Sequence, residues 1–225
     1  MFRIFMLCGL LIASGWASAE TEAYNRVDFQ VEAAREVAND LLTATLTMDV
    51  QDKQPGRVAQ QLNATLNAAL KDAAAFKSVK TRSGNQQTFP VYGRDNQVDA
   101  WRGHGEIHIE SQDFKSAGEL IMKLQSSMQM GGVQFSISPA SRAKLEDELI
   151  TEAIKAFQSR AEAIRSAMGA KSYKTVHFSI NNGLSPYRPM PMRREAMVSS
   201  AMSAPEFAGG DSRMTIQISG TIELR

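Results

Sequence analysis

Residues 42–73 read LTATLTMDVQDKQPGRVAQQLNATLNAALKDA, and the apolar period changes within this one stretch. Leu42, Ala44, Leu46, Met48 and Val50 alternate with Thr43, Thr45, Thr47 and Asp49. That is the two-residue period of a strand with one buried face, and threonine suits the half-wet side of a pleated sheet. Past Pro55 the spacing becomes three and four. Val58, Leu62, Leu66, Ala69 or Leu70, and Ala73 then fall along one side of a helix of about five turns. A strand that hands directly to an amphipathic helix predicts a sheet face with a helix laid across it.

The same alternation of periods recurs on both sides. Upstream, Val27, Phe29 and Val31 alternate with Asp28, Gln30 and Glu32 as a strand, while residues 33–40 fit either a helical turn or a strand connection. Downstream, a short strand is predicted near residues 79–82. The polar stretch 83–97, with Gly84, Pro90 and Gly93, reads as a loop or long hairpin connection. Trp101, Gly103, Gly105, Ile107 and Ile109 then face one way, with Arg102, His104, Glu106, His108 and Glu110 opposite, as in a strand with one wet side.

Ala117, Leu120, Ile121, Leu124 and Met128 mark a second helix, with Asp113 or Ser116 as its N-cap and Gly131-Gly132 as its end. A short strand follows at Val133, Phe135 and Ile137. Ser138-Pro139 then opens a third helix, whose apolar face runs through Leu145, Leu149, Ala153, Ala156, Phe157, Ile164 and Met168 until Gly169. Roughly thirty helical residues reach about 45 Å, which points to packing across two subdomains or against a neighbouring subunit.

Val176, Phe178 and Ile180 predict another strand, and residues 181–211 are irregular. Met214, Ile216, Ile218, Gly220, Ile222 and Leu224 close the chain as a cleanly alternating strand. The order predicts an α+β fold of two intimately packed β/α subdomains, with mixed sheets covered by amphipathic helices. A β-α-β-α-β subdomain over residues 98–180 would be inserted between residues 20–97 and 181–225.

Residues 1–19 read as a secretory signal peptide. Arg3 is the positive start, the run from Ile4 to Ile12 is apolar, and Ala17-Ser18-Ala19 offers a small-residue cleavage site. The apolar run is too short to span a bilayer core of about 30 Å, so the expectation is a cleaved leader and a periplasmic mature chain of residues 20–225 without a transmembrane segment. Cleavage would remove Cys8, the only cysteine, and with it any disulfide or thiolate chemistry. Without Arg3, the 25 Lys and Arg become equal in number to the 24 Asp and Glu, so no electrostatic footprint for nucleic acid survives.

The candidate chemistry is sparse. His104, His108 and Glu106 invite a metal reading, but histidines four apart on a strand are separated by about 13 Å, beyond a shared coordination sphere. A solvated sheet face is the better reading. His177 lies on the polar side of its strand among Tyr173, Thr175 and Ser179, and the acidic run Glu146, Asp147 and Glu148 reads as the wet face of the long helix. No nucleophile elbow, phosphate loop or zinc-spaced set is present, so no catalytic residue, cofactor or metal is assigned and a non-enzymatic protein is expected.

The segment with most unusual composition contains Met190, Met192, Met197 and Met202 beside Tyr187, Arg188, Arg193 and Arg194. Thioethers suit Cu(I) and react with oxidants, which opens an alternative reading as a methionine-based Cu(I)-binding or oxidant-scavenging protein. Adaptable packing is the preferred reading, with Tyr187, Arg188, Arg193 and Arg194 as interface candidates in a homo-oligomer.

Several short motifs carry a resemblance. Phe89-Pro90-Val91-Tyr92 is followed by Ala100-Trp101-Arg102-Gly103, then by Gly118-Glu119-Leu120, by the run from Gly132 to Ser138, and by Arg188-Pro189-Met190 before the closing strand. In these motifs and their order the mature chain resembles the SIMPL-domain family. The family's usual Ser-Gly-Glu-Gly type of first strand is replaced here by residues 27–34. Bacterial relatives include periplasmic proteins named for oxidative-stress defence and an immunogenic periplasmic protein that forms a hollow ring-like oligomer. The resemblance therefore implies an oligomeric scaffold or binding module linked to envelope stress, of unknown molecular activity and with no catalytic motif to carry over.

Overall fold

The computed structural model describes residues 25–183 and 207–225. Within them the chain runs through β1 (Arg26–Ala38), β2 (Leu41–Asp52), α1 (Pro55–Ala73), β3 (Lys80–Tyr92), β4 (Val98–Ser111), α2 (Phe114–Leu124), β5 (Gln129–Ser136), α3 (Pro139–Ala167), β6 (Tyr173–Gly183) and β7 (Asp211–Leu224). Two sheets form, ordered β1-β7-β6 and β3-β4-β2-β5. The fold is α+β, with two β/α layers each covered on one face by helices.

Two expectations about the layers change. Every pairing in both sheets is antiparallel, where mixed sheets were expected. The β4-α2-β5 crossover does deliver two strands running the same way, but β2 lies between them and is antiparallel to both. The boundary between layers also differs from an insertion at residues 98–180. Strands β2 to β5 with α1 and α2 make one layer, and β1 joins α3, β6 and β7 in the other. Sheet membership follows pairings far apart in sequence, such as Arg26 with Glu223, which local periodicity does not carry.

In the four-stranded layer Leu42, Leu46, Ile107 and Ile109 are fully buried beneath Val58 and Leu62 of α1 and Leu120, Ile121 and Leu124 of α2. Helix α1 sits close because β4 presents glycine to it. A Cβ on Gly103 would stand 2.4 Å from Val58 Cγ1 and 2.6 Å from Leu62 Cδ1. Helix α2 is capped by Asp113, which accepts the Ser116 N–H at 3.1 Å, and it ends at Leu124 instead of running to the glycine pair. Met128 is buried just past the helix end. Gly131 and Gly132 lie inside β5, next to a register shift against Thr45 and Leu46.

The stretch expected as a loop after residue 82 is largely strand. β3 continues to Tyr92 as an edge strand held by its pairing with β4, and the turn is confined to residues 93–97. Its side chains are mostly exposed, so no apolar period marks it.

In the three-stranded layer α3 lies chiefly over β1 and β7. Leu149 and Ala153 are fully buried, and Phe157 stacks on Phe29 with ring centroids 4.5 Å apart. Gly220 makes room for that ring, since a Cβ there would stand 2.9 Å from it and 2.7 Å from the His177 carbonyl oxygen. Pro139 opens α3 behind the Ser138 cap as expected. Gly169, at φ +68°, ends it, with the Gly169 N–H on Ser166 O and the Ala170 N–H on Arg165 O.

Candidate functional site

The face of the four-stranded sheet opposite its helices is a lattice of polar side chains. Thr45 is opposite His108, Thr47 opposite Glu106, and Asp49 opposite His104. Period-two geometry puts all six on the same side. His104 Nδ1 lies 3.1 Å from Asp49 Oδ1 and its Nε2 lies 3.2 Å from Glu106 Oε1. Glu106 Oε2 faces His108 Nε2 at 3.4 Å, and His108 Nδ1 reaches Thr45 Oγ1 at 3.1 Å. The row Asp49, His104, Glu106, His108, Thr45 is thus continuous across β2 and β4.

Its electrostatics follow from those contacts. Hydrogen bonding to Asp49, then to Glu106, raises the His104 pKa above its ordinary value, against a smaller opposing effect of burial. The hydrogen bond with His104 in turn holds the Glu106 carboxyl below the usual carboxylate range. The two histidines are joined through Glu106 and do not converge on a shared point. Among the described residues no group of three or more His, Cys, Asp or Glu side chains is placed to hold a metal ion.

The other sequence-picked residues are dispersed. His177 is exposed on the polar face of the three-stranded sheet, near the Ser179–Ser219 hydroxyl pair. Glu148 turns out to be structural: with Glu152 it holds Arg35 of β1 at 2.6 and 3.1 Å, clamping α3 onto that strand. Met190, Met192, Met197, Met202, Tyr187, Arg188, Arg193 and Arg194 lie outside the described residues, as does the segment read as a signal peptide.

Two features were missed in the sequence. The first is the junction at Asn39 and Asp40. The Asp40 carboxylate accepts the Ser138 N–H and the hydroxyls of Ser138 and Ser141 at 2.5 to 2.7 Å, and the Gln112 amide at 3.1 Å. Burial pushes its pKa up, but these hydrogen bonds outweigh that and hold it low. Asn39 donates to Gly209 O and accepts from the Ser212 hydroxyl. An aspartate that anchors a helix's N-cap residue 98 positions later leaves no local signal.

The second is an exposed apolar row. Val176, Phe178 and Ile180 on β6 are 42%, 48% and 38% exposed, because α3 covers β1 and β7 and touches β6 only sparsely. Period-two alternation was readable there, but its exposure was not.

Among the described residues no helix is long and apolar enough to cross a membrane. No curated protein matches the chain. Residues 27–222 match the SIMPL family, described as "Protein of unknown function (DUF541)", and these residues run from the first strand of one layer to the last. The chain belongs to the SIMPL family.

Proposed function

We propose that this protein is a periplasmic, non-enzymatic SIMPL-domain module that works as a homo-oligomeric scaffold or binding platform in envelope stress tolerance. The observation that carries the reading is the row Val176, Phe178 and Ile180 on β6, which pairs with β7 on one side and with no other described strand. Sheet edges are templates for association unless they are blunted by charge, proline or bulges. The β1 edge is charged with Asp28, Glu32, Arg35 and Glu36, the β3 edge carries Pro90 and a bulge, and β5 is short and bulged. β6 carries Lys174 and a bulge at Val176, but from Phe178 to Asn182 it runs in regular register with neither charge nor proline. Contiguous exposed apolar surface of this kind marks interaction sites.

Static light scattering on residues 20–225 tests the reading. An assembly larger than one chain is expected at micromolar concentration, and Phe178→Glu should reduce it to a monomer that keeps the wild-type far-ultraviolet circular dichroism. A wild-type protein that stays monomeric across that range overturns it.

A further inference from the structure

The polar row on the four-stranded sheet holds something in place. β3 pairs with β4 in register from Lys80 opposite Glu110 to Ser83 opposite Ile107, and resumes at Gln86 opposite Gly105. Gly84 and Asn85 therefore face the single residue Glu106, which is a bulge in an edge strand. The Asn85 N–H donates to Glu106 Oε2 at 3.4 Å. The Gly84 backbone sits against the His108 ring, so closely that a Cβ would stand 2.4 Å from His108 Nε2 and 2.8 Å from Glu106 Cβ. At this bulge β3 is fastened through the Glu106 carboxylate.

Glu106 is positioned by His104. Both ring nitrogens of His104 face carboxylate oxygens, Asp49 on one side and Glu106 on the other. A neutral imidazole has one N–H and would turn a lone pair toward one of them, whereas the imidazolium donates to both. The other charged groups near this row are Arg102, His108 and Glu110 on β4, and Lys80 and Arg82 on β3, with Lys80 engaged to Glu110 at 3.5 Å. β5 contributes no titratable side chain.

We infer that the Asp49–His104–Glu106–His108 row is a proton-operated latch on edge strand β3, closed over Gly84 and Asn85 when His104 is protonated and released when it is not. Release frees the middle of β3 on a face that already presents Thr43, Thr45, Thr47 and the histidines to solvent, so the edge becomes responsive to the pH outside the cell membrane. The latch is independent of β6, and its test leaves the assembly reading untouched.

Proton NMR of the histidine rings, together with amide exchange at Asn85 across a pH series on residues 20–225, tests the latch. His104 is expected to titrate above the ordinary value of about 6.5. Asn85 exchange should rise through that midpoint by about threefold more than the roughly tenfold per pH unit of base-catalysed exchange, as suits a partly exposed charged pair. Asp49→Asn should lower the His104 midpoint and carry the exchange step down with it. His104→Gln, which keeps an amide donor but does not titrate, should abolish the step. An Asn85 profile with no step, a step that stays put in Asp49→Asn, or a step that survives in His104→Gln overturns the latch.

Discussion

The two sheets face the same requirement, an apolar side to be covered, and meet it differently. In the four-stranded layer α1 and α2 share the sheet and bury Leu42, Leu46, Ile107 and Ile109 completely. In the three-stranded layer one 29-residue helix is tied to β1 through Arg35 and lies over β7, reaching β6 only through the Phe157–Phe178 ring contact and leaving the β6 row half exposed. The difference lies in tethering. α3 starts at the junction, where Asp40 holds its Ser138 cap, and its flank is clamped to the strand farthest from β6. Coverage that ends one strand short leaves a partly exposed apolar row beside a complete core.

The largest expected effects test whether the two layers are one cooperative unit. Leu62→Ala and Leu149→Ala each empty a fully buried site, one per layer, and each should cost about 2–5 kcal/mol. Because Asn39 and Asp40 bond into both layers, a single denaturant transition is expected, lowered by either variant. Two transitions, each moved by only one of the substitutions, would show the layers to be separable.

Next comes the fit of helix on sheet. Gly220→Ala should destabilise by about 1–3 kcal/mol, because its Cβ would collide with the Phe157 ring and the His177 carbonyl. Combining it with Phe157→Leu should restore part of the loss and no more, since the carbonyl is backbone and cannot be trimmed. Full restoration in a double-mutant cycle would place the whole conflict on the ring.

Much of this architecture was legible because both layers are built from one-sided elements. The strands at residues 42–50 and 214–224 and the helix starting at Ser138-Pro139 announce themselves through period and capping. β3 did not, since an edge strand with little buried side-chain surface has no apolar period to show. The division into layers was misread because a two-residue link at Asn39 and Asp40 separates strands that join different sheets. The row on β4 was readable as alternation, but its continuity depends on Asp49 being opposite His104, a register that only the pairing of β2 with β4 determines.

The junction gives a smaller, local effect. Asp40→Ala removes acceptors from the Ser138 N–H and three side-chain donors, and should cost about 1–2 kcal/mol. Asp40→Asn should recover less than half of that, because an amide offers one acceptor oxygen where the carboxylate offers two. The native carboxyl has a lowered pKa, so its contribution is present above the unfolded value of about 3.8 and disappears as pH falls through the folded one. Equal stability of Asp40→Ala and wild type near neutral pH would remove the junction from the comparison.

The smallest effect distinguishes the layers by their response to pH. His104 has a raised pKa, so what it adds to stability is complete below about 6.5 and is lost as pH rises through the folded value. Glu106 has a lowered pKa, so its share is complete above about 4.5 and is lost as pH falls through the folded value. Both are therefore fully present only under mildly acidic conditions, and for side chains this accessible the gain should be a few tenths of a kcal/mol up to about 1. Denaturation midpoints from about pH 4.5 to 9 should show wild type ahead of His104→Gln on the acidic side, with the gap closing as pH rises. A gap of the same size at every pH would mean that His104 stabilises by packing alone, and the polar face of the four-stranded layer would then be as indifferent to protons as its core.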